Sequence, residues 1–306
     1  MSTSPTETSQ RALPPITTDL AQARRDLSEY GLARVSGLLT PAEVAAARTR
    51  LFEQAEAERE RGCAVHDSGG DPKRPGSGPN QRVRNLINKG EIFRQIAVKP
   101  HALELVRFLL GKHVLLSSYS ANIACKDGVQ MFMHTDQFYL APMPFVMASA
   151  VVWMLDDFTE KNGATLVVPR SHCWASMSDV DQSAAANPLP AIGPAGTILM
   201  LDGRTLHATG ENKTDRPRPG LITYYCKPFI RQEENFALSL APEVMQRCSK
   251  ELLELLGFQT WFGLGGIDGS GHASPLTGRP TAFSGEWRPR RAPAGEGRGG
   301  ALASLS

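Results

Sequence analysis

Three segments of the chain carry apolar residues at the spacing of an amphipathic helix. The first spans residues 41–61 and follows Thr40, which can form a capping box with Glu43. The second spans residues 100–111, beginning at a proline and ending at a glycine. The third spans residues 242–256 and also begins at a proline. We therefore predict two helices in the first part of the chain and one near its end.

Between the second and third helices the apolar pattern shortens to runs typical of β-strands. Each run is rich in β-branched or aromatic residues and is bounded by Gly, Pro, Asn or Asp. The five runs are 114–124, 147–155, 164–168, 197–201 and 221–226. Helices, then many strands, then a helix predict a mainly β protein, with an antiparallel double-sheet core and flanking helices.

The length of 306 residues allows one large domain or two small ones. Because double-sheet folds often reach this size as one unit, we predict a single domain over residues 16–282. The Ser-, Thr- and Pro-rich residues 1–15 and the Gly- and Arg-rich residues 283–306 are predicted to be disordered. Residues 67–82 contain several Gly, Pro and Ser and are predicted to form a mobile loop.

The composition is that of a globular protein and favours no polyanionic partner. Hydrophobic residues make up 41% of the chain, charged residues 21%, and the net charge is +2. We therefore expect that the protein binds neither a nucleic acid nor a membrane surface. Residues 137–155 carry no charge, but Pro142 and Pro144 interrupt them, so we predict a loop leading into a buried strand.

The five cysteines are scattered, odd in number and without a CxxC pair. A disulfide framework is therefore not expected, and we interpret them as reduced thiols of a cytoplasmic protein. The first residues lack the apolar segment of a secretory signal. No feature of the sequence indicates the oligomeric state.

The residues that indicate chemistry are His134, Asp136 and His207, the last lying 73 positions after the first. We expect His134 to enter a strand, in which residues i and i+2 point to the same face. His207 follows its own predicted strand and an Asp-Gly turn. Two imidazoles and one carboxylate on one face of a metal leave three positions open, which is how non-haem Fe(II) oxygenases hold iron.

A His-x-Asp pair alone is weak evidence, because such a pair arises by chance in many chains of ordinary composition. His134 can instead be a turn or core histidine that is hydrogen-bonded to Asp136. The context favours a metal, because a double-sheet fold can bring the two strand ends together. Neither an HExxH motif nor a cysteine-ligand pattern competes in this sequence.

An arginine near His207 is a candidate partner for an acidic co-substrate. Arg218 lies 11 residues after His207 and just before the apolar run 221–226, which can carry it inward beside the metal. Its guanidinium offers a bidentate fork for the free carboxylate of a 2-oxo acid. Arg216 precedes a proline and is expected to be more exposed, but both arginines can also belong to a solvated turn.

Three stretches of the chain resemble the phytanoyl-CoA dioxygenase family of Fe(II)/2-oxoglutarate oxygenases. The first is His-Thr-Asp-Gln at 134–137. The second is Asn-Gly-Ala-Thr-Leu-Val-Val-Pro at 162–169, followed by Arg-Ser-His. The third, over 202–218, begins with Asp-Gly-Arg and contains a histidine and an Arg-Pro-Arg sequence. The resemblance covers roughly residues 25–265, and the combined pattern is specific although no single motif is.

The resemblance implies a double-stranded β-helix core, a relative of jelly rolls and cupins, with iron at one mouth. It implies that His134, Asp136 and His207 are the catalytic metal ligands of Fe(II). Related halogenases have a small residue where this chain has Asp136, which frees a position for halide. The carboxylate of Asp136 therefore favours hydroxylation, desaturation or another oxidative rearrangement.

The same resemblance implies that Arg218 binds the distal carboxylate of the co-substrate 2-oxoglutarate. Thr165 and Asn122 are further candidate contacts of this co-substrate. For Thr165 the alternative is a hydroxyl that only faces the sheet, and for Asn122 it is a hydrogen bond at the end of a strand.

The chain departs from the family pattern in two places. Arg170 stands where the family usually has glycine in a Pro-Gly-Ser-His turn, and we expect that turn to differ locally because arginine disfavours positive φ. Met131 stands where the family often has a glutamine that touches the co-substrate, with Gln130 one place away, so we do not assign that contact. His172 belongs to the turn and is interpreted as structural.

The implied reaction uses O2 and converts 2-oxoglutarate to succinate and CO2 while a substrate C–H bond is oxidised. We predict a mid-sized, largely apolar small-molecule substrate, such as a natural-product intermediate. Phe138, Tyr139 and residues 143–145 are candidates for an apolar wall, and Trp261 and Phe262 for part of a lid. Coenzyme A conjugation is not implied, because the chain contains no identifiable phosphate-binding motif.

Two alternatives use the same three ligands. One is a zinc hydrolase or another redox-inert metalloenzyme, which gives Arg218 no role and requires no 2-oxoglutarate. The other is a non-catalytic metal-binding or sensing protein on a cupin-like fold, which binds iron and 2-oxoglutarate without turnover.

Overall fold

The structure is a computed structural model that describes residues 12–67, 76–137, 144–174 and 179–266. Most of the predicted N-terminal segment 1–15 and all of the tail 283–306 lie outside these residues. Within residues 12–15, the carbonyl oxygen of Pro14 accepts hydrogen bonds from the Arg34 guanidinium at 3.1 and 2.6 Å.

The main structural element is an antiparallel sheet of seven strands. In chain order they are β1 (Leu32–Val35), β2 (Val65–Asp67), β3 (Asn80–Val83), β4 (Leu115–Ala124), β5 (Ala148–Met154), β8 (Ile198–Asp202) and β10 (Arg218–Cys226). Their order across the sheet is β1-β8-β5-β10-β4-β3-β2. The long strands β4, β5 and β10 therefore lie side by side in its centre.

A smaller sheet completes the core. It contains β6 (Thr165–Val167), β7 (Leu189–Pro190) and β9 (His207–Thr209), in the order β7-β6-β9. Apolar side chains of both sheets, among them Val152, Leu199 and Val167, form one buried cluster. The structure thus has the mainly β, double-stranded β-helix core that the resemblance implied.

Helices cover the outer face of the large sheet. The described helices are α1 (Leu20–Tyr30), α2 (Pro41–Glu60), α3 (Glu91–Ala97), α4 (Pro100–Leu110), α5 (Gln182–Ala186), α6 (Phe236–Ser239), α7 (Pro242–Met245) and α8 (Lys250–Leu255). Apolar residues of α1 to α4 form the main core cluster together with Tyr119, Ala121 and Ile123 of β4. Alternate residues of β4 are therefore turned to the opposite face of the sheet, towards the space between the two sheets.

The first two predicted helices are confirmed, whereas the third is wrong in its continuity. Thr40 and Glu43 form the capping box, with the Glu43 N–H donating to the Thr40 hydroxyl at 3.2 Å. The segment 242–256 is broken into α7 and α8. Ser249 starts α8 as a new helix, because its side chain accepts a hydrogen bond from the Leu252 N–H at 3.2 Å.

The predicted loop 67–82 is shorter in the structure, because its end is strand β3. Two polar residues of this strand, Asn80 and Gln81, are buried and hydrogen-bonded to Cys125 N–H and to the Ala55 carbonyl. Because these residues are polar, the apolar pattern of the sequence does not indicate a strand here. Residues 68–75 lie outside the described part of the chain.

The uncharged stretch 137–155 leads into a buried strand, as predicted. All seven residues of β5 are buried, and residues 138–143 lie outside the described part. Among the described residues, none of the helices has the length and apolar character needed to cross a membrane.

Candidate metal and co-substrate site

A pair of backbone hydrogen bonds holds His134 beside His207. Each residue donates its N–H to the carbonyl of the other at 2.9 Å, which places the two imidazole rings 4.6 Å apart. The expectation that His134 lies within a strand is wrong, since it forms a single β-bridge and Asp136 follows in a turn. The side chains nevertheless converge, with one ligand atom from each of the three residues lying within 4.8 Å of the others.

The orientation of both rings follows from hydrogen bonds to the backbone. His134 Nδ1 lies 3.0 Å from the Phe132 carbonyl oxygen, and His207 Nδ1 lies 2.9 Å from that of Thr205. A carbonyl can only accept, so each Nδ1 carries the proton and each Nε2 presents its lone pair. His207 Nε2 is 3.6 Å from Asp136 Oδ1. This arrangement is the one that metal-binding histidines commonly adopt.

The electrostatics of the site fit a cation among these three residues. Burial lowers the pKa of both His134 and His207, which keeps the imidazoles neutral. Burial raises the pKa of Asp136 to about 7, against the attraction of His134. Asp136 Oδ2 is buried and accepts no hydrogen bond from the residues that the structure describes. A divalent cation would satisfy this oxygen and remove the cost of the buried carboxylate.

The raised pKa of Asp136 predicts that Asp136→Asn stabilises the metal-free protein. The folded-state pKa of about 7 exceeds the ordinary 3.8, so stability is lost as pH rises from about 4 through 7. Removing the ionisable group should raise the free energy of unfolding by about 1–3 kcal/mol at pH 8 and by little at pH 4.5. Urea denaturation with a chelator present measures this. The control Asp127→Asn, at an exposed aspartate, should have little effect, and an equal gain at both pH values would contradict the explanation.

The three candidate ligands open into a cavity of about 240 Å³ between the two sheets. Ser118, Ser120 and Asn122 of β4 form a polar side of this cavity. Ala150 and Val152 of β5, with Ile222 of β10, form an apolar side.

Arg218 faces this cavity as a buried cation. Its side chain stacks on the Phe158 ring at 4.0 Å, and its Nε donates to the Asn162 carbonyl at 3.3 Å. No carboxylate of the described residues lies within 4.0 Å of its guanidinium. Burial, together with the nearby cation of Arg82, lowers the pKa of Arg218 to about 9. Arg216 is exposed, as expected, and is absent from the lining of the cavity.

Thr165 and Asn122 both line the same cavity. Asn122 is 3% exposed and donates to the Thr209 hydroxyl at 3.1 Å, while its Oδ1 is buried and has no hydrogen-bond partner in the described part of the chain. Thr165 lies opposite Thr209 in the small sheet. The structure thus brings together all six residues singled out in the sequence: His134, Asp136, His207, Arg218, Thr165 and Asn122.

Several cavity residues were missed in the sequence. Tyr224 donates its hydroxyl to the Asp136 carbonyl at 2.9 Å and so helps to position that turn. Arg82 of β3 and Glu233 also line the cavity. The only local signal was the alternation of Ser118, Ser120 and Asn122 along a strand, which indicates a polar face.

Arg170 and Met131, the two residues that depart from the family pattern, both lie in the described part of the chain. The expectation that arginine changes this turn is wrong at Arg170, whose φ of +68° lies in the left-handed region that favours glycine. Its guanidinium stacks on the Tyr30 ring at 4.7 Å and pairs with Glu29, which offsets a backbone cost of about 1–2 kcal/mol. Met131 lines the cavity, whereas Gln130 is exposed.

The candidate lid residues Trp261 and Phe262 do not line the metal cavity. They border a separate cleft with Arg107 and Lys112. Of the candidate apolar wall, Phe145 is exposed, and residues 138–143 lie outside the described part of the chain. His172 is buried away from the metal ligands, where its Nε2 lies 3.3 Å from the Ser28 carbonyl, in keeping with a structural role.

Comparison with known proteins shows the family of this chain. The sequence model of the phytanoyl-CoA dioxygenase family matches residues 27–220. The chain is 35% identical over 252 residues to dioxygenase af480 of Aspergillus fumigatus, which covers 81% of this chain and 80% of that protein.

Two solved structures share the fold. Epimerase SnoN, in complex with Fe3+, alpha-ketoglutarate and nogalamycin RO, matches with a TM-score of 0.54 at 20% identity, covering 68% of this chain and 84% of its own. EctD from S. alaskensis with bound Fe matches with a TM-score of 0.56 at 19% identity, covering 70% of this chain and 79% of its own.

The chain belongs to the phytanoyl-CoA dioxygenase family. It is a 2-oxoglutarate-dependent non-haem iron dioxygenase, and its cofactors are Fe(II) and 2-oxoglutarate.

Proposed function

We propose that His134, Asp136 and His207 hold Fe(II), and that the enzyme oxidises a C–H bond of a small molecule. The observation that carries this assignment is the convergence of the three ligand atoms within 4.8 Å, in a cavity also lined by the buried Arg218, which forms no ion pair with a described residue. The neutral Nε2 atoms and the orphaned Asp136 oxygen are suitable donors for a divalent iron. Iron with 2-oxoglutarate and O2 supplies the oxidising chemistry, releasing succinate and CO2.

In this proposal Arg218 binds the distal carboxylate of 2-oxoglutarate. Burial of the guanidinium is costly because none of the described carboxylates pairs with it, and an anionic ligand compensates for this cost. Phe158 and the Asn162 carbonyl fix the orientation of the guanidinium. The Thr165 hydroxyl and the Asn122 Oδ1, which has no hydrogen-bond partner among the described residues, are further polar groups near the co-substrate.

The proposed substrate is a mid-sized, largely apolar small molecule, such as a natural-product intermediate. Ala150, Val152 and Ile222 give the cavity an apolar side that suits such a molecule. SnoN acts in nogalamycin biosynthesis, and we extend this kind of substrate to the present chain by analogy. We also propose a cytoplasmic location, which the five free cysteines support.

Metal removal and replacement test the proposed function. The Fe(II)-loaded protein should convert 2-oxoglutarate to succinate under 18O2 with one labelled oxygen in the succinate. Chelation should reduce this conversion to background, and Fe(II) but not Zn(II) should restore it. Activity with Zn(II) in the absence of 2-oxoglutarate would instead favour a redox-inert enzyme. Binding of both cofactors without conversion, across a panel of apolar natural products, would favour a sensing protein.

A further inference from the structure

One carboxylate faces the cavity at the end away from Arg218. Glu233 lines the same cavity as the candidate metal ligands. Its Oε2 accepts a hydrogen bond from the Ser118 hydroxyl at 2.7 Å. Within the part of the chain that the structure describes, no Lys, Arg or His nitrogen lies within 4.0 Å of this carboxylate. Glu233 is therefore a negative charge at the cavity that no described residue neutralises.

The position of Glu233 is fixed by the neighbouring strand. Its N–H donates to the Ser117 hydroxyl at 3.0 Å, and the N–H of Glu234 donates to the Ser117 carbonyl at 2.9 Å. The carboxylate of Glu234 in turn accepts from the Asn85 N–H at 2.8 Å. These contacts tie the segment to β4 and hold Glu233 at the cavity, where its side chain is also exposed to solvent.

The register of the central strands separates Glu233 from the co-substrate end. Arg218 lies opposite Ala124, and Tyr224 lies opposite Ser118. Six residues of extended strand separate these two levels, a distance of roughly 20 Å. With 2-oxoglutarate between Arg218 and the metal, the cavity beside Ser118 and Glu233 is left for the substrate.

With Fe(II) and 2-oxoglutarate bound, the charges in the cavity favour a hydrogen-bond donor of the substrate beside Glu233. Fe(II) and Arg218 together balance the two carboxylates of 2-oxoglutarate and that of Asp136. Arg82 is paired with Asp67 at 2.6 Å. The charge of Glu233 remains, so a substrate carboxylate or phosphate here would meet like-charge repulsion. A hydroxyl or protonated amine would instead form a charge-assisted hydrogen bond.

We infer that Glu233, positioned with Ser118, determines substrate specificity by accepting a hydrogen bond from a hydroxyl or protonated amine on an otherwise apolar small molecule. The apolar body of the substrate lies against Ala150, Val152 and Ile222, and the donor lies towards Glu233. The inference rests on the proposed function, since that function puts the metal and 2-oxoglutarate in this cavity.

Three probes with the same apolar cage test the inference: 1-adamantanamine, 1-adamantanol and adamantane-1-carboxylate. Their affinities are measured anaerobically by calorimetry on the protein loaded with Fe(II) and 2-oxoglutarate. The ammonium probe should bind the wild-type protein about 10-fold more tightly than the carboxylate, corresponding to one charge-assisted hydrogen bond. Glu233→Gln should remove this preference, and Glu233→Lys should reverse it.

Glu160→Gln is the matched control and should leave the preference intact, because Glu160 is exposed and forms no ion pair with any described residue. An unchanged order of affinities in Glu233→Gln, or a wild-type protein that binds no probe or prefers none, would overturn the inference. The visible charge-transfer band of the wild-type iron and 2-oxoglutarate complex separates the two proposals. If that band is absent, the proposed function fails; if it forms while Glu233→Gln keeps the order, only the role of Glu233 fails.

Discussion

Replacing His134 by alanine should abolish iron-dependent oxidation, lowering turnover by more than about 100-fold. Mutation of residues that only orient a metal ligand lowers activity by up to about 100-fold. Because His134 is itself a proposed ligand, its loss should have a larger effect. The fold should survive, because the bridge between His134 and His207 is made by backbone atoms. Succinate formation at saturating 2-oxoglutarate measures the loss, and circular dichroism checks that the protein is folded.

The matched control for this variant is His101→Ala. His101 is exposed on α4, with its side chain 66% accessible, and it lies outside the cavity. Its replacement should leave turnover near the wild-type value. Wild-type turnover in His134→Ala would mean that iron is held elsewhere, and the assignment of His134, Asp136 and His207 would have to be abandoned.

Replacing Arg218 by alanine should weaken 2-oxoglutarate binding by about 30- to 1000-fold, or about 2–4 kcal/mol, while iron still binds. Breaking a buried, hydrogen-bonded charge pair has an effect of this size. Arg218→Lys should recover only part of the affinity, since lysine keeps the charge but lacks the planar fork. Anaerobic titration of the Fe(II) protein with 2-oxoglutarate measures each dissociation constant.

Arg216→Ala provides the control, because Arg216 is exposed two residues earlier in the chain. It should bind 2-oxoglutarate as the wild-type protein does. An unchanged affinity in Arg218→Ala, or a large loss in Arg216→Ala, would show that the co-substrate carboxylate is bound by another cation, and Arg82 also lines the cavity.

The candidate ligands could be predicted because short sequence patterns mark each of them. His134 and Asp136 are two residues apart, and His207 follows a strand that the apolar pattern marks clearly. The predicted strand at His134 was wrong, because one β-bridge and a turn bring the side chains together instead. The mistake did not affect the triad, since the spacing of two suits either geometry.

What could not be predicted depends on contacts between distant segments. Glu233 reaches the cavity because Ser117 and Ser118, more than 100 positions earlier, hold it there. Strand β3 is polar in sequence, and the side-chain amides of Gln81 and Asn80 form hydrogen bonds with α2 and with the residue that follows β4. The third helix was predicted as continuous because the apolar spacing continues through the break that Ser249 caps. Such long-range and competing hydrogen bonds leave little periodic signal in a single sequence.

The most direct test of the proposed site is anaerobic absorption spectroscopy of the purified protein with Fe(II) and then 2-oxoglutarate. We expect a weak visible metal-to-ligand charge-transfer band when 2-oxoglutarate is added to the wild-type protein. The band should be lost in His207→Ala, because removal of one imidazole leaves the iron without its third protein ligand. No band in a wild-type protein that demonstrably binds iron, or an undiminished band in His207→Ala, would contradict the site proposed here.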